Sequence, residues 1–375
     1  MLAVVLVIGG AAFMSSVPAA FPIPKANVNV TPVGVPYQQL TTGGWDDVDP
    51  EWSPNGSLIA FVSDRNGTWG IFTMSPNGTT QERLTSTTVT ATNISWSPDS
   101  SSIAYWLYDD GRTSIEVVRL SDLSTFQVSE NGSEVAQAPA VWSPDGSRLL
   151  YYDFNPAAQL VCSDLTTMSS RVLANVNGSD ISASWIADDE ITYSNLNDGL
   201  YEVMWLNLTS GAGGPLISGS SNYLGGAVNP NGTRIAYYSD QQVPLRGNDI
   251  FEFSGYNVWS SQIFPRTSDA YLYSRMGENT PYRPGVVVMS SQLQFSPDGN
   301  LLACVLDNPV FGTGVYVWNY IDQTVVNVGP TGGEALNPTW APDSTTVAFS
   351  CNESGSFHIW SAAISGLVNM PPPAY

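Results

Sequence analysis

One motif recurs along the whole chain. PEWSPNGSLIAF (Pro50 to Phe61), ISWSPDSSSIAY (Ile94 to Tyr105) and AVWSPDGSRLLY (Ala140 to Tyr151) carry an aromatic, a Pro-containing turn and an apolar run in the same order. Four more copies follow: ASWIADDEITY (Ala183 to Tyr193), GAVNPNGTRIAY (Gly226 to Tyr237), LQFSPDGNLLAC (Leu293 to Cys304) and PTWAPDSTTVAF (Pro338 to Phe349). The anchors Trp52, Trp96, Trp142, Trp185, Val228, Phe295 and Trp340 are 44, 46, 43, 43, 67 and 45 residues apart. Such a period is the mark of one supersecondary unit stacked on copies of itself.

Each copy reads as a β-hairpin. An aromatic ends one strand, Pro presets φ at the first turn position, Asp or Asn follows, and Gly or Ser takes the positive φ that returns the chain. The residues between copies suffice for two more strands, such as Gly70 to Met74 and Gln81 to Thr85. Four strands per unit at this period predict an all-β, seven-bladed β-propeller of four-stranded antiparallel blades over residues 37–366. The last copy supplies three strands before the Pro-rich tail, 367–375, so Tyr37 to Thr41 is expected to dock on it and close the ring. The 67-residue spacing marks an insertion, 241–290.

The W-S-P-D-G-x-x-I-A-F hairpins resemble the WD-like propeller repeats of the TolB family, over about Tyr37 to Ser365. The resemblance implies the propeller fold; propellers of this kind occur in envelope proteins, in oligopeptidases and in sugar-acid lyases. The lyases of that group use histidine-rich metal sites, which the single His358 does not build.

Residues 1–20, MLAVVLVIGGAAFMSSVPAA, hold no charge and read as a signal peptide or membrane anchor, followed by a Pro-rich linker, 21–36. An extracytoplasmic place follows: secreted, periplasmic or anchored at the cell surface, with membrane contact only through that segment. Nine Asn-x-Ser/Thr sequons agree with export and are candidate glycosylation sites: Asn55, Asn66, Asn77, Asn93, Asn131, Asn177, Asn207, Asn231 and Asn352. Asn-Gly is also what a tight turn demands. With 33 Asp and Glu against 12 Lys and Arg, the formal charge of −21 argues against nucleic acid as a partner. Cys162, Cys304 and Cys351 read as buried free thiols, three being the wrong parity for complete pairing.

Catalytic vocabulary is short. There is no Gly-x-Ser-x-Gly elbow, no Cys-x-x-Cys, no His-Glu-x-x-His and no phosphate-cradling Gly-x-x-x-x-Gly-Lys, and His358 reads as structural. Two binding constellations remain. Asp46, Asp47 and Asp49 precede the first anchor and are candidate calcium ligands at the axial funnel, with Asp180 and Glu334 at comparable offsets. The insertion gathers Arg246, Arg266 and Arg275 beside Trp259 and Tyr271, residue types that dominate contact surfaces. The reading from sequence is a non-enzymatic propeller that needs no cofactor and binds an envelope or surface protein or a glycan. The alternatives are a carbohydrate-active lyase or hydrolase using the funnel carboxylates, or a surface-coat subunit.

Overall fold

The computed structural model describes residues 35–364 except 87, 89, 131, 179–181, 240–256, 263–292, 309–311, 320–323 and 331. Every element in it is a strand. After β1 (Tyr37–Gln39), the first sheet holds β2 (Asp47–Trp52), β3 (Ile59–Ser63), β4 (Gly70–Met74) and β5 (Glu82–Arg83) in that order. The second holds β6 (Thr90–Trp96), β7 (Ser102–Asp109), β8 (Arg112–Arg119) and β9 (Thr125–Gln127). The third holds β10 (Val141–Trp142), β11 (Arg148–Asp153), β12 (Gln159–Asp164) and β13 (Ser169–Asn175). The fourth holds β14 (Ala183–Ala187), β15 (Glu190–Asn197), β16 (Leu200–Asn207) and β17 (Gly213–Ile217). Then come β18 (Tyr223–Val228), β19 (Arg234–Ser239) and β20 (Asn257–Gln262), followed by β21 (Gln294–Phe295), β22 (Leu302–Asn308), β23 (Gly312–Asn319) and β24 (Thr324–Asn327). The last sheet has β25 (Ala335–Trp340), β26 (Thr346–Cys351) and β27 (His358–Ala363), with β1 on its outer edge.

Six of these sheets are four-stranded antiparallel blades, which corrects the expectation of seven. The sheet β18-β19-β20 is described with three strands, and the residues after Gln262 that would supply a fourth lie outside the described residues. The same holds for residues 1–34, most of the 241–290 insertion and the tail. On the last blade, Tyr37, Gln38 and Gln39 pair with Ala362, Ser361 and Trp360. Leu40 N donates to Ile359 O at 2.7 Å, and Ile359 N to Thr41 Oγ1 at 2.9 Å.

The hairpin motif explains itself at atomic level. Ser53 N donates to Leu58 O and Ser53 Oγ accepts from Leu58 N, while Gly56, at φ 72°, donates to Ser53 O. Asn55 Oδ1 accepts from both N and Oγ of Ser57. Asp99, Asp145 and Asp343 serve Ser101, Ser147 and Thr345 in the same way. In two copies Ser stands where Gly is expected, Ser100 and Ser344, both at φ 61°. Left-handed backbone costs a residue with a Cβ about 1 kcal/mol, and each hydroxyl offsets that by accepting from the preceding blade's turn, from Asn55 N and Asp298 N.

Blades are held face to face by their second and third strands. Ile59 to Ser63 and Gly70 to Met74 are buried throughout, because each middle strand has a neighbouring blade on both sides. Each such aliphatic or aromatic side chain contributes about 1.5–3 kcal/mol. The anchoring Trp adds direction: its indole Nε1 donates to the carbonyl one residue before the preceding anchor. Trp96 reaches Glu51 O, Trp142 Ser95 O, Trp185 Val141 O and Trp340 Gln294 O, at 3.0, 3.1, 3.1 and 2.9 Å. Between the last blade and the first the staple is missing, and Trp52 Nε1 is buried without a partner. That seam uses backbone donors instead: Asp47 N to Phe357 O, Asp49 N to Ser350 Oγ and Trp52 N to Thr339 Oγ1.

Trp142→Phe keeps the aromatic contact but strands the Ser95 carbonyl, so it should cost about 1–3 kcal/mol more than Phe at other sites. Trp52→Phe removes an N–H that bonds to nothing and should cost less. Urea unfolding of the two variants side by side checks the difference.

Candidate active site

Among the described innermost strands, β2, β6, β10, β14, β18, β21 and β25, the charged residues are three carboxyls, Asp47, Asp49 and Glu51. All three sit on β2, in DVDPEW. A bulge between Val48 and Glu51 breaks the register with β3 and separates their surroundings.

Asp47 belongs to the seam. Its carboxylate is fully buried, with Oδ1 2.7 Å from Arg65 Nη2 and Oδ2 3.7 Å from His358 Nδ1 across the junction with the last blade. Arg65 also donates to Gln81 Oε1 and lies 4.7 Å from the Phe72 ring centre and 5.4 Å from that of Trp45. Asp47 Oδ2 and His358 Nδ1 have no hydrogen-bond partner. His358, read as structural, is buried here.

Asp49 is the bulge residue, at φ 50°, half-exposed between buried Val48 and Pro50. Among the described residues its carboxylate has neither a hydrogen bond nor an ion pair, and burial among the blade edges pushes it up to about 6. Glu51 occupies the position before the anchor, which links one blade to the next. Its Oε2 accepts from Trp96 N at 3.1 Å, as Gln294 Oε1 accepts from Trp340 N at 3.1 Å and Thr339 Oγ1 from Trp52 N at 3.3 Å. The same slot holds a carboxamide at Gln294 and a hydroxyl at Thr339, and a carboxyl at Glu51. Burial pushes it up to about 8, the Trp96 N–H opposing. Near pH 7, Asp49 is therefore mostly ionised and Glu51 mostly protonated. Trp45, in the turn before β2, is 37% exposed, and its indole lies on Gly43 so closely that no Cβ fits there.

The sequence grouped Asp46, Asp47 and Asp49 as a calcium set, and the geometry separates them. Asp46 Oδ1 accepts from Phe357 N at 2.8 Å, Asp47 is paired with Arg65, and Asp49 stands apart on the bulge. Among the described residues no three or more His, Cys, Asp or Glu are gathered to hold a metal ion. Glu334 is exposed, its N donating to Asn352 Oδ1. Asp180, Arg246, Arg266, Tyr271 and Arg275 lie outside the described residues, and Trp259 is placed on β20 opposite Tyr237. Glu51 was passed over in the sequence; its signal is an acid at a position that in the other six copies holds Ser95, Val141, Ser184, Ala227, Gln294 and Thr339.

Residues 30–141 match the model of the TolB beta propeller domain. Over those residues the chain is similar to TolB-like β-propellers. None of the curated proteins matches the sequence. Among solved structures, an oligogalacturonate lyase in complex with manganese is 16% identical, with a TM-score of 0.67, covering 89% of this chain and 94% of that one. TolB from Acinetobacter baumannii is 18% identical at a TM-score of 0.54, covering 82% and 68%. A puromycin-hydrolyzing peptidase of Mycobacterium tuberculosis is 14% identical at 0.58, covering 82% and 49%. At these identities the likeness is one of fold. It nevertheless corrects the expectation of a non-enzymatic binding scaffold, which rested on missing catalytic motifs: the lyase is covered over 94% of its length, so a propeller of this extent can itself be an enzyme. The manganese of that lyase has no matching donor set among the residues described here.

An acid whose pKa is raised by folding stabilises the fold while protonated. That contribution is complete below the unfolded value, 4.5 for Glu51, and is lost as pH rises through about 8. Glu51→Gln should flatten this dependence and be more stable than the unchanged protein at pH above 8, by at most about 5 kcal/mol. Urea unfolding between pH 5 and pH 9 measures it.

Proposed function

We propose that this propeller is an extracytoplasmic carbohydrate-active enzyme that cleaves glycosidic bonds with Asp49 as base and Glu51 as acid. The observation that carries the reading is one strand bearing two half-buried carboxyls, pushed to about 6 and about 8. Two carboxyls whose surroundings separate their protonation states are what acid and base roles at neutral pH require. In hydrolysis, Glu51 gives its proton to the leaving glycosidic oxygen while Asp49 takes a proton from the water whose oxygen bonds to the anomeric carbon. In elimination, Asp49 takes the hydrogen beside a uronate carboxylate, the electron pair forms the new C=C bond, and Glu51 protonates the departing oxygen. Trp45, exposed in the turn before β2, offers a ring on which a sugar stacks.

The architecture that serves this function is a closed ring of seven blades, with β18-β19-β20 counted as the fifth. It is supported by β1 on the last sheet and by the hydrogen bonds from β2 to the last blade. Export is supported by the apolar segment 1–20 and the sequons.

A panel of polysaccharides, assayed for new reducing ends with the intact protein, tests the reading. Asp49→Asn and Glu51→Gln should each lower turnover about a hundredfold or more, general acid and base terms being about 10²–10⁴. The unchanged protein should show a bell-shaped kcat/KM, falling below the Asp49 value of about 6 and above the Glu51 value of about 8. Variants that cleave at the unchanged rate would remove the two carboxyls from the mechanism.

A further inference from the structure

Asp49 is held from the far end of the chain. The register between β2 and β3 runs through Asp47, Val48, Glu51 and Trp52, so Asp49 and Pro50 have no opposite residue in their own blade. Pro50 has no N–H, which leaves the Asp49 amide as the backbone donor of that pair. It goes to Ser350 Oγ, on β26 of the last blade, at 3.0 Å. Amides on either side of the bulge cross the same junction, Asp47 N to Phe357 O and Trp52 N to Thr339 Oγ1. Positive φ is disfavoured for a residue with a Cβ, and an amide turned out of its own sheet needs an acceptor elsewhere. Ser350 supplies it.

Comparison between copies singles out this serine. Ser350 follows the last residue of its hairpin motif, where the other copies carry Val62, Trp106, Tyr152, Ser194, Tyr238 and Val305. Ser194 shares a hydrogen bond with Ser182 of its own blade, at 2.7 Å. The bulges of β6 and β25, at Asn93 and Asn337, follow blades that have Val62 and Val305 at this place, whose side chains accept nothing. Of these three bulges, the one that carries a carboxyl is the one the preceding blade meets with a hydroxyl.

We propose that Ser350 is a positioning residue of the candidate site, fixing through the Asp49 N–H the bulge that carries the base. The proposal rests on the acid and base reading above and adds a residue to it. The base is then set by the last blade and the acid by the second, whose Trp96 N holds Glu51 Oε2. Ser350 is wholly buried, so it acts through Asp49 and not on a substrate. Without its hydroxyl the Asp49 amide loses its acceptor, the bulge relaxes, and the carboxyl leaves the burial that pushes it up to about 6.

Carbon-13 NMR titration of the Asp49 carboxyl in the intact protein tests this without a substrate. In Ser350→Ala the midpoint should fall by about one pH unit or more towards the ordinary value of 3.8, while Ser350→Thr, which keeps a hydroxyl, should titrate as the unchanged protein does. Ser194→Ala removes the matching buried hydroxyl of the fourth blade and should leave the Asp49 midpoint in place, which separates positioning from a general loss of stability. On a polysaccharide that the protein cleaves, Ser350→Ala should lower kcat about tenfold or more at nearly unchanged KM and carry the acid limb of kcat/KM down with the Asp49 midpoint. A midpoint unchanged in Ser350→Ala, or moved as far by Ser194→Ala, would overturn the positioning role. Cleavage that depends on Asp49 but not on Ser350 would overturn it as well and leave the catalytic carboxyls standing. A midpoint that moves in Ser350→Ala alone, in a protein that cleaves no polysaccharide, would uphold the positioning and sink the catalytic reading.

Discussion

Trp96 and Trp340 are each tied to the preceding blade twice. The backbone N–H donates to the side chain one residue before the previous anchor, Glu51 or Gln294, and the indole N–H donates to that residue's carbonyl. Apolar burial between blades supplies most of the stabilisation but has no direction. The indole bond fixes which carbonyl of one innermost strand lies beside which ring of the next, and so sets the offset from blade to blade. The arrangement of groups around the axis depends on that offset, and the position just before each anchor becomes structurally committed. A carboxyl placed there, as at Glu51, takes over a structural bond and is held mostly uncharged near neutral pH by the same surroundings.

The seam between the last blade and the first is built differently. It has no indole staple and instead brings together Asp47, Arg65 and His358. The carboxyls of the candidate site lie on the strand that forms the first blade's side of this seam. Asp47 is consumed in holding the junction, which leaves Asp49 and Glu51, two and four residues further on, in surroundings that differ from its own and from each other. One strand thus combines bonding to the last blade with carrying the candidate carboxyls.

The repeat made the fold legible, since a Trp followed by Ser-Pro-Asp-Gly specifies a turn whose every hydrogen bond can be assigned. The docking strand was legible too, because the last copy runs out of strands before the Pro-rich tail. The fifth sheet was counted from its hairpin alone, and its described strands number three. The site was read less well. Counting Asp46, Asp47 and Asp49 as one set treats neighbours in sequence as neighbours in space, whereas alternate residues of a strand face opposite blades and a bulge redirects one of them. Glu51 was hidden because its meaning lies in comparison between copies. Function was judged from missing motifs, and motifs describe chemistries built on other scaffolds.

The turn chemistry has a consequence for modification. Asn55, Asn77 and Asn231 hold their turns through Oδ1, which accepts from the N and Oγ of the Ser or Thr two residues on. Their sequon pattern therefore follows from hairpin geometry alone. N-linked attachment takes place at the amide nitrogen, the other half of the same group. A glycan on these exposed residues would leave the accepting oxygen, and with it the turn, in place, so a secreted relative of this fold can acquire or shed a sugar coat at its hairpin tips without refolding a single blade.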